Sequence, residues 1–114
     1  MAGGLEKLEG ERWRDLIRAP LAVLVLGKSD CEACAGWTRE LETFLEGDAE
    51  WGDVRFGKIL LDDRGLADFK RANPWIAELD VLPFTQIYVD GERSKSFAGG
   101  GIERLVSRLR SLRE

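Results

Sequence analysis

The apolar run Leu21-Ala22-Val23-Leu24-Val25-Leu26 has no polar interruption. Such a run predicts a central strand, buried on both faces of a covered sheet. Before it, Trp13, Leu16 and Ile17 share one side of a short helix predicted over Glu9–Arg18, which Pro20 ends. After it, Cys34, Trp37, Leu41, Phe44 and Leu45 recur at three- and four-residue steps. That stripe predicts a helix over Glu32–Glu46 with a core-facing side, stopped by Gly47-Asp48. Val54–Leu61 reads as a second strand, followed by a turn at Asp62-Asp63-Arg64-Gly65. Leu66, Phe69 and Ala72 suggest a further helix, interrupted at Asn73-Pro74, and Trp75, Ile76 and Leu79 another helical turn. Strand and helix alternate here as in a βαβ unit with parallel strands.

The last third changes period. Pro83–Val89 is rich in aromatic and β-branched residues, Asp90-Gly91 is a hairpin signal, and Arg93–Ala98 returns as an antiparallel strand. After Gly99-Gly100-Gly101, the positions Ile102, Leu105, Val106, Leu109 and Leu112 trace an amphipathic closing helix. Residues 1–8 are expected to be loose, since Gly3-Gly4 gives no reason for order.

Composition narrows the picture. A chain of 114 residues with 44% hydrophobic and 33% charged residues suits one soluble domain over residues 1–114. A net charge of −4 disfavours a nucleic-acid partner. No apolar run approaches the roughly 20 residues that span a bilayer, so no membrane partner is expected. The N-terminal residues carry no signal-peptide pattern, and the expected location is the cytoplasm. A monomer is expected.

The chemistry concentrates at Asp30-Cys31-Glu32-Ala33-Cys34, which holds both cysteines of the chain. They are spaced C-x-x-C between a buried strand and a helix start. Unpaired N–H groups and the positive end of the helix dipole favour thiolate over thiol there. The thiolate is the nucleophile of thiol–disulfide exchange. The stripe carries Cys34 inward and leaves Cys31 the more exposed sulfur. Zinc normally takes four ligands. With two cysteines and no histidine, a Cys/His zinc site within one chain is excluded. Without histidine, Ser–His and Cys–His nucleophiles are excluded as well. A structural bridge this short would constrain the unfolded chain little. Redox chemistry is the favoured reading.

The order of elements and three motifs together resemble thioredoxin and its thioredoxin-like relatives over roughly residues 9–113. The motifs are Cys31-Glu32-Ala33-Cys34, the segment Val54–Asp62 with Lys58 and Asp62 where thioredoxins carry a Lys and an Asp, and Leu82-Pro83 ahead of the hairpin. The resemblance implies an α/β thioredoxin fold, a single domain with a central mixed sheet flanked by helices. It implies a cis Leu82–Pro83 bond packed against the cysteines. It also implies that Leu82 offers backbone hydrogen bonds to an extended substrate segment, recognition by strand addition.

The sequence departs from that pattern in ways that bear on chemistry. The spacer is Glu32-Ala33 instead of Gly-Pro, and Asp30 replaces the tryptophan that often precedes the first cysteine. The buried acid of thioredoxins falls at Val25. Asp30 and Glu32 put like charge beside Cys31 and oppose the thiolate, with Lys28 and Lys58 as partial offsets. The competing reading makes the two acids a helix cap and a first-turn residue. Lys58 is either the group that assists Cys34 or a solvated strand residue. Trp37 reads as core. Trp75 reads as a core anchor or, if exposed, as partner-facing.

The expected function is a thiol–disulfide oxidoreductase in which Cys31 attacks and Cys34 resolves, acting as a reductant on disulfide-bearing protein substrates. Leu82 and Pro83 shape its site, and Asp30, Glu32 and Lys58 modulate it. Its potential is expected at roughly −200 to −270 mV, between the glutaredoxins and thioredoxin. No metal or organic cofactor is needed, because the two sulfurs carry the chemistry. Electrons come from an unidentified reductase or small thiol. A glutaredoxin-like action on glutathione is a variant, suggested by Gly99-Gly100. A protein-interaction module with little redox turnover is the other class, since fold does not fix function.

Overall fold

The structure is a computed structural model that describes residues 4–47 and 50–113. Its elements are β1 (Leu5–Lys7), α1 (Trp13–Leu16), β2 (Leu21–Gly27), α2 (Glu32–Gly47), β3 (Arg55–Leu60), α3 (Ala67–Ala72), a 3-10 turn (Pro74–Glu78), β4 (Phe84–Val89), β5 (Glu92–Ala98) and α4 (Ile102–Arg113). The strands form one mixed sheet in the order β1-β3-β2-β4-β5. β1, β3 and β2 run parallel, and β4 and β5 run antiparallel to their neighbours. This is the α/β architecture that the hydrophobic pattern and the resemblance predict.

β2 is the centre of the sheet, buried from Ala22 through Gly27. Its side chains divide between two cores, as the period of two requires. Ala22, Leu24 and Leu26 pack with Trp13, Leu16, Phe69 and Ile76 on one face. Val23 and Val25 pack with Trp37, Leu41, Phe56, Leu105 and Leu109 on the other. The α2 stripe and the α4 stripe therefore meet the same face of the sheet. The hairpin turn follows the Asp-Gly signal: Asp90 (φ 52°) and Gly91 (φ 84°) both occupy the left-handed region that a type I′ turn demands.

The N-terminus departs from expectation. Leu5–Lys7 is not loose; it forms an edge strand whose partners are Phe56, Gly57 and Lys58 of β3. Leu8, just beyond it, is 1% exposed in the core. The driving force is burial of Leu5 and Leu8 on opposite sides of the sheet. Met1–Gly3 lie outside the described residues. The first helix is also shorter than the predicted Glu9–Arg18, with turns on either side of Trp13–Leu16. Helix α2 runs through Gly47, while Asp48, the other half of the expected stop, lies outside the described residues.

Candidate active site

Cys31 immediately precedes α2, and the Ala35 N–H donates to its carbonyl at 3.1 Å. The Cys34 N–H points at Cys31 Sγ from 3.1 Å. The sulfur thus takes the place that a serine or aspartate oxygen takes at other helix starts. Asp30 stands one residue too early for that role, so the helix-capping reading of Asp30 gives way to capping by Cys31. Glu32 opens the first turn, where its charge suits the helix dipole. Both acids are exposed beside Cys31.

The two sulfurs are joined as a disulfide, with the Cα atoms 5.2 Å apart. Cys31 is half-buried and Cys34 is 5% exposed. The inward position of Cys34 depends on Gly27 at the end of β2. A Cβ at Gly27 would stand 3.0 Å from both Cβ and Sγ of Cys34. A glycine closing an apolar strand was the available signal for this contact.

Across the site, the Leu82–Pro83 peptide is cis, and Pro83 is buried. Cys31 Sγ lies 4.0 Å from the Leu82 carbonyl oxygen. The structure thus brings Cys31, Cys34, Leu82 and Pro83 together at the ends of β2, α2 and β4.

The loop ahead of Cys31 is fixed from the two residues that follow β3. The Leu61 N–H donates to the Gly27 carbonyl at 2.7 Å, and the Ser29 N–H donates to Asp62 Oδ1 at 3.1 Å. The Ser29 hydroxyl donates to the other Asp62 oxygen. These hydrogen bonds from Ser29 hold the Asp62 carboxyl below its ordinary range, helped by the nearby charge of Lys28. Asp62 therefore clamps the Lys28–Asp30 turn.

Lys58 is half-buried on β3, in register with Val25 of β2. Both line a cavity beside Cys34. Trp37 is 2% exposed and its indole N–H reaches Thr85 on β4, which confirms its place in the core. Gly100 packs on that ring: a Cβ there would come within 2.7 Å of it. The glycine run thus has a packing role. Trp75 is half-buried between Phe84 and the Arg93 guanidinium, as an anchor would be.

Neither a protein-family model nor a curated protein sequence matches the chain. Solved structures do match. Thioredoxin f from spinach chloroplast (short form) superposes with a TM-score of 0.78 at 17% identity, over 99% of this chain and 96% of that one. Thioredoxin O2 from Arabidopsis thaliana, in its oxidised state, gives 0.74 at 16% identity, over 98% and 96%. Thioredoxin f2 in its complex with ferredoxin:thioredoxin reductase gives 0.74 at 15% identity, over 99% and 98%. The chain has the thioredoxin fold, with a disulfide-forming C-x-x-C pair at the start of α2.

Proposed function

We propose that the chain is a thiol–disulfide oxidoreductase that reduces disulfides in protein substrates. The observation that carries this reading is the setting of Cys31: half-exposed at the start of α2, with the Cys34 N–H on its sulfur and the carbonyl next to cis-Pro83 within 4.0 Å. In the reduced pair, that N–H and the helix dipole favour the Cys31 thiolate.

Cys31 attacks one sulfur of the substrate disulfide, and the other leaves as a thiolate. Cys34 then gives up its proton and attacks Cys31 Sγ, expelling the second substrate sulfur. Two electrons pass to the substrate, its two thiolates take up the Cys34 proton and one from water, and the Cys31–Cys34 disulfide remains. The backbone of Leu82 aligns an extended substrate strand beside Cys31. Asp30 and Glu32 temper the reactivity of Cys31. A reductase or a small thiol restores the dithiol; one of the matched thioredoxins was solved in complex with a reductase. Such cycling suits a reducing compartment, the cytoplasm.

The test is a thiol-trapping redox titration, with Cys34→Ser examined for a trapped mixed disulfide on a model disulfide protein. A reversible two-electron transition at roughly −200 to −270 mV, with Cys31 the trapped sulfur, is the expected result. A pair that forms no mixed disulfide, or sits near −120 mV with the strongest oxidants, overturns it.

A further inference from the structure

At the β5 edge of the sheet, two arginines of α4 reach one aromatic ring. Phe97 is buried, and the Arg104 and Arg108 guanidinium groups lie 4.5 and 4.8 Å from its ring centroid. Both charged ends are held in place. Arg104 Nη2 donates to the Ala98 carbonyl, and Arg108 Nη1 donates to the Arg104 carbonyl at 3.2 Å. The glycine run leaves room for Arg104: a Cβ at Gly99 would stand 3.5 Å from its Nη2, and one at Gly101 3.6 Å from its Nε. A guanidinium has five N–H donors, so one carbonyl bond leaves most of each planar fork open. Among the described residues, neither arginine belongs to an ion pair. Arg110 and Arg113 of the same helix are instead paired with Glu50 and Asp53. The Arg104–Arg108 pair is unfavourable without a counter-ion. Like charges one turn apart on a helix repel, and Arg104 stands in the first turn, at the positive end of the α4 dipole. The chain as a whole carries a net charge of −4, so attraction for an anion is local to this pair.

We propose that Arg104 and Arg108 together bind a phosphate monoester group. Such a group carries about −1.5 to −2 charge at neutral pH and three acceptor oxygens, enough to engage both guanidinium groups. Planar arginine forks match phosphate oxygens two at a time. A carboxylate, with one charge and two oxygens, satisfies a single fork. The pair stands on the flank of the cis-Pro83 site: Ala98 is the register partner of Phe84, and the Gly99 N–H donates to the Pro83 carbonyl at 2.6 Å. A small organic phosphate and a phosphorylated side chain of a partner protein share this chemistry. Binding stands on the arginine pair alone and does not rest on the oxidoreductase reading.

The test is a ¹⁵N-NMR titration of the intact chain with glycerol phosphate, against sodium acetate and sodium chloride at equal ionic strength. At about pH 7.5 the phosphate dianion prevails. Saturable shifts at the Gly99 amide and at the Arg104 and Arg108 Nε–H groups are expected in the millimolar range. Acetate should bind at least about tenfold more weakly, because it fills one fork. Arg104→Gln and Arg108→Gln should each weaken glycerol phosphate about tenfold, the loss of one charge-assisted pair. Arg108→Lys keeps the charge without the fork and should restore only part of that loss. Arg110→Gln, one turn away from neither ring contact nor fork, should leave binding unchanged. At about pH 5 the ester becomes a monoanion while the arginines stay charged, and binding should weaken at least about threefold. Shifts that do not saturate, that acetate or chloride reproduces, or that Arg110→Gln weakens as much as Arg108→Gln overturn the site. A serine-phosphorylated peptide that binds about tenfold more tightly than glycerol phosphate supports the site and names a partner protein as the source. Equal affinities support it and name free phosphate esters.

Discussion

The indole N–H of Trp37 donates to the hydroxyl of Thr85 at 3.1 Å, with both residues buried. This bond joins α2, which carries the cysteines, to β4, which follows cis-Pro83. The Thr85 hydroxyl donates onward to the Gly99 carbonyl at 3.4 Å, and Gly100 lies flat against the Trp37 ring. One polar link inside an apolar layer therefore ties the helix that carries Cys34 to the strand that follows Leu82-Pro83.

Thr85→Val keeps the shape and removes the acceptor. It leaves a buried indole N–H unpaired, at an expected loss of about 1–3 kcal/mol in urea denaturation. Gly100→Ala drives a methyl into the Trp37 ring and should cost about 1–3 kcal/mol by overpacking. A Thr85→Val midpoint within about 0.5 kcal/mol of wild type, the scatter of an ordinary surface change, would show that the link carries no stability.

Asp62 gives the loop before Cys31 an acid-sensitive clamp. Its folded pKa lies below the ordinary aspartate value because Ser29 donates two hydrogen bonds to the ionised form. The sign follows from linkage: the contribution is fully present above the unfolded value, about 3.9, and is lost as pH falls through the lower folded one. Between about pH 5 and pH 3, wild-type stability should fall more steeply than that of Asp62→Asn, and the Ser29 amide should lose hydrogen-exchange protection. Parallel pH curves for the two proteins would remove Asp62 from this role.

Much of the fold was legible because burial imposes a period. β2 showed as an unbroken apolar run, α2 and α4 as stripes, and the β4–β5 turn as Asp90-Gly91. Short or aperiodic segments gave no such signal. β1 has three residues and owes its order to pairing with β3, and Trp51, 1% exposed, sits between α2 and β3 outside any stripe. At the site, Cys31 and Cys34 were legible from spacing and Leu82-Pro83 from resemblance. Ser29 and Asp62 stand 33 residues apart, so only the folded chain unites them.

The acids beside Cys31 separate into electrostatic and helix-start roles by experiment. Since the Cys31 sulfur already takes the Cys34 N–H, neutralising Asp30 and Glu32 removes charge without removing a cap. The double variant Asp30→Asn, Glu32→Gln should raise the rate of Cys31 alkylation in the reduced protein about threefold at neutral pH and low salt, because like charge no longer opposes the thiolate. The gain should shrink at about 0.5 M salt, where exposed charges are screened within a few ångströms. A rate unchanged at low salt would leave Glu32 with its first-turn role alone and Asp30 with no part in the reactivity of Cys31.

Trp75 ties the segment before cis-Pro83 to the hairpin. Its ring meets Phe84 at a centroid distance of 5.9 Å and carries the Arg93 guanidinium at 3.8 Å. Its N–H donates to Asn73 Oδ1 at 3.3 Å, and Asn73 in turn donates to the Phe69 carbonyl at 2.8 Å. Trp75→Ala uncovers Phe84, the residue that follows Pro83, and should cost about 2–3 kcal/mol, less than a fully buried aromatic loses. Arg93→Ala removes the cation from the ring face and should cost about 0.5–1 kcal/mol. Because the two residues touch, the double variant should lose less than the sum of the single losses. Denaturation of the four proteins measures the coupling. Additive losses would mean that the guanidinium lies over the ring without holding it. An unchanged midpoint in Trp75→Ala, together with weaker capture of a disulfide substrate by the Cys34→Ser background, would instead make Trp75 a partner-facing residue.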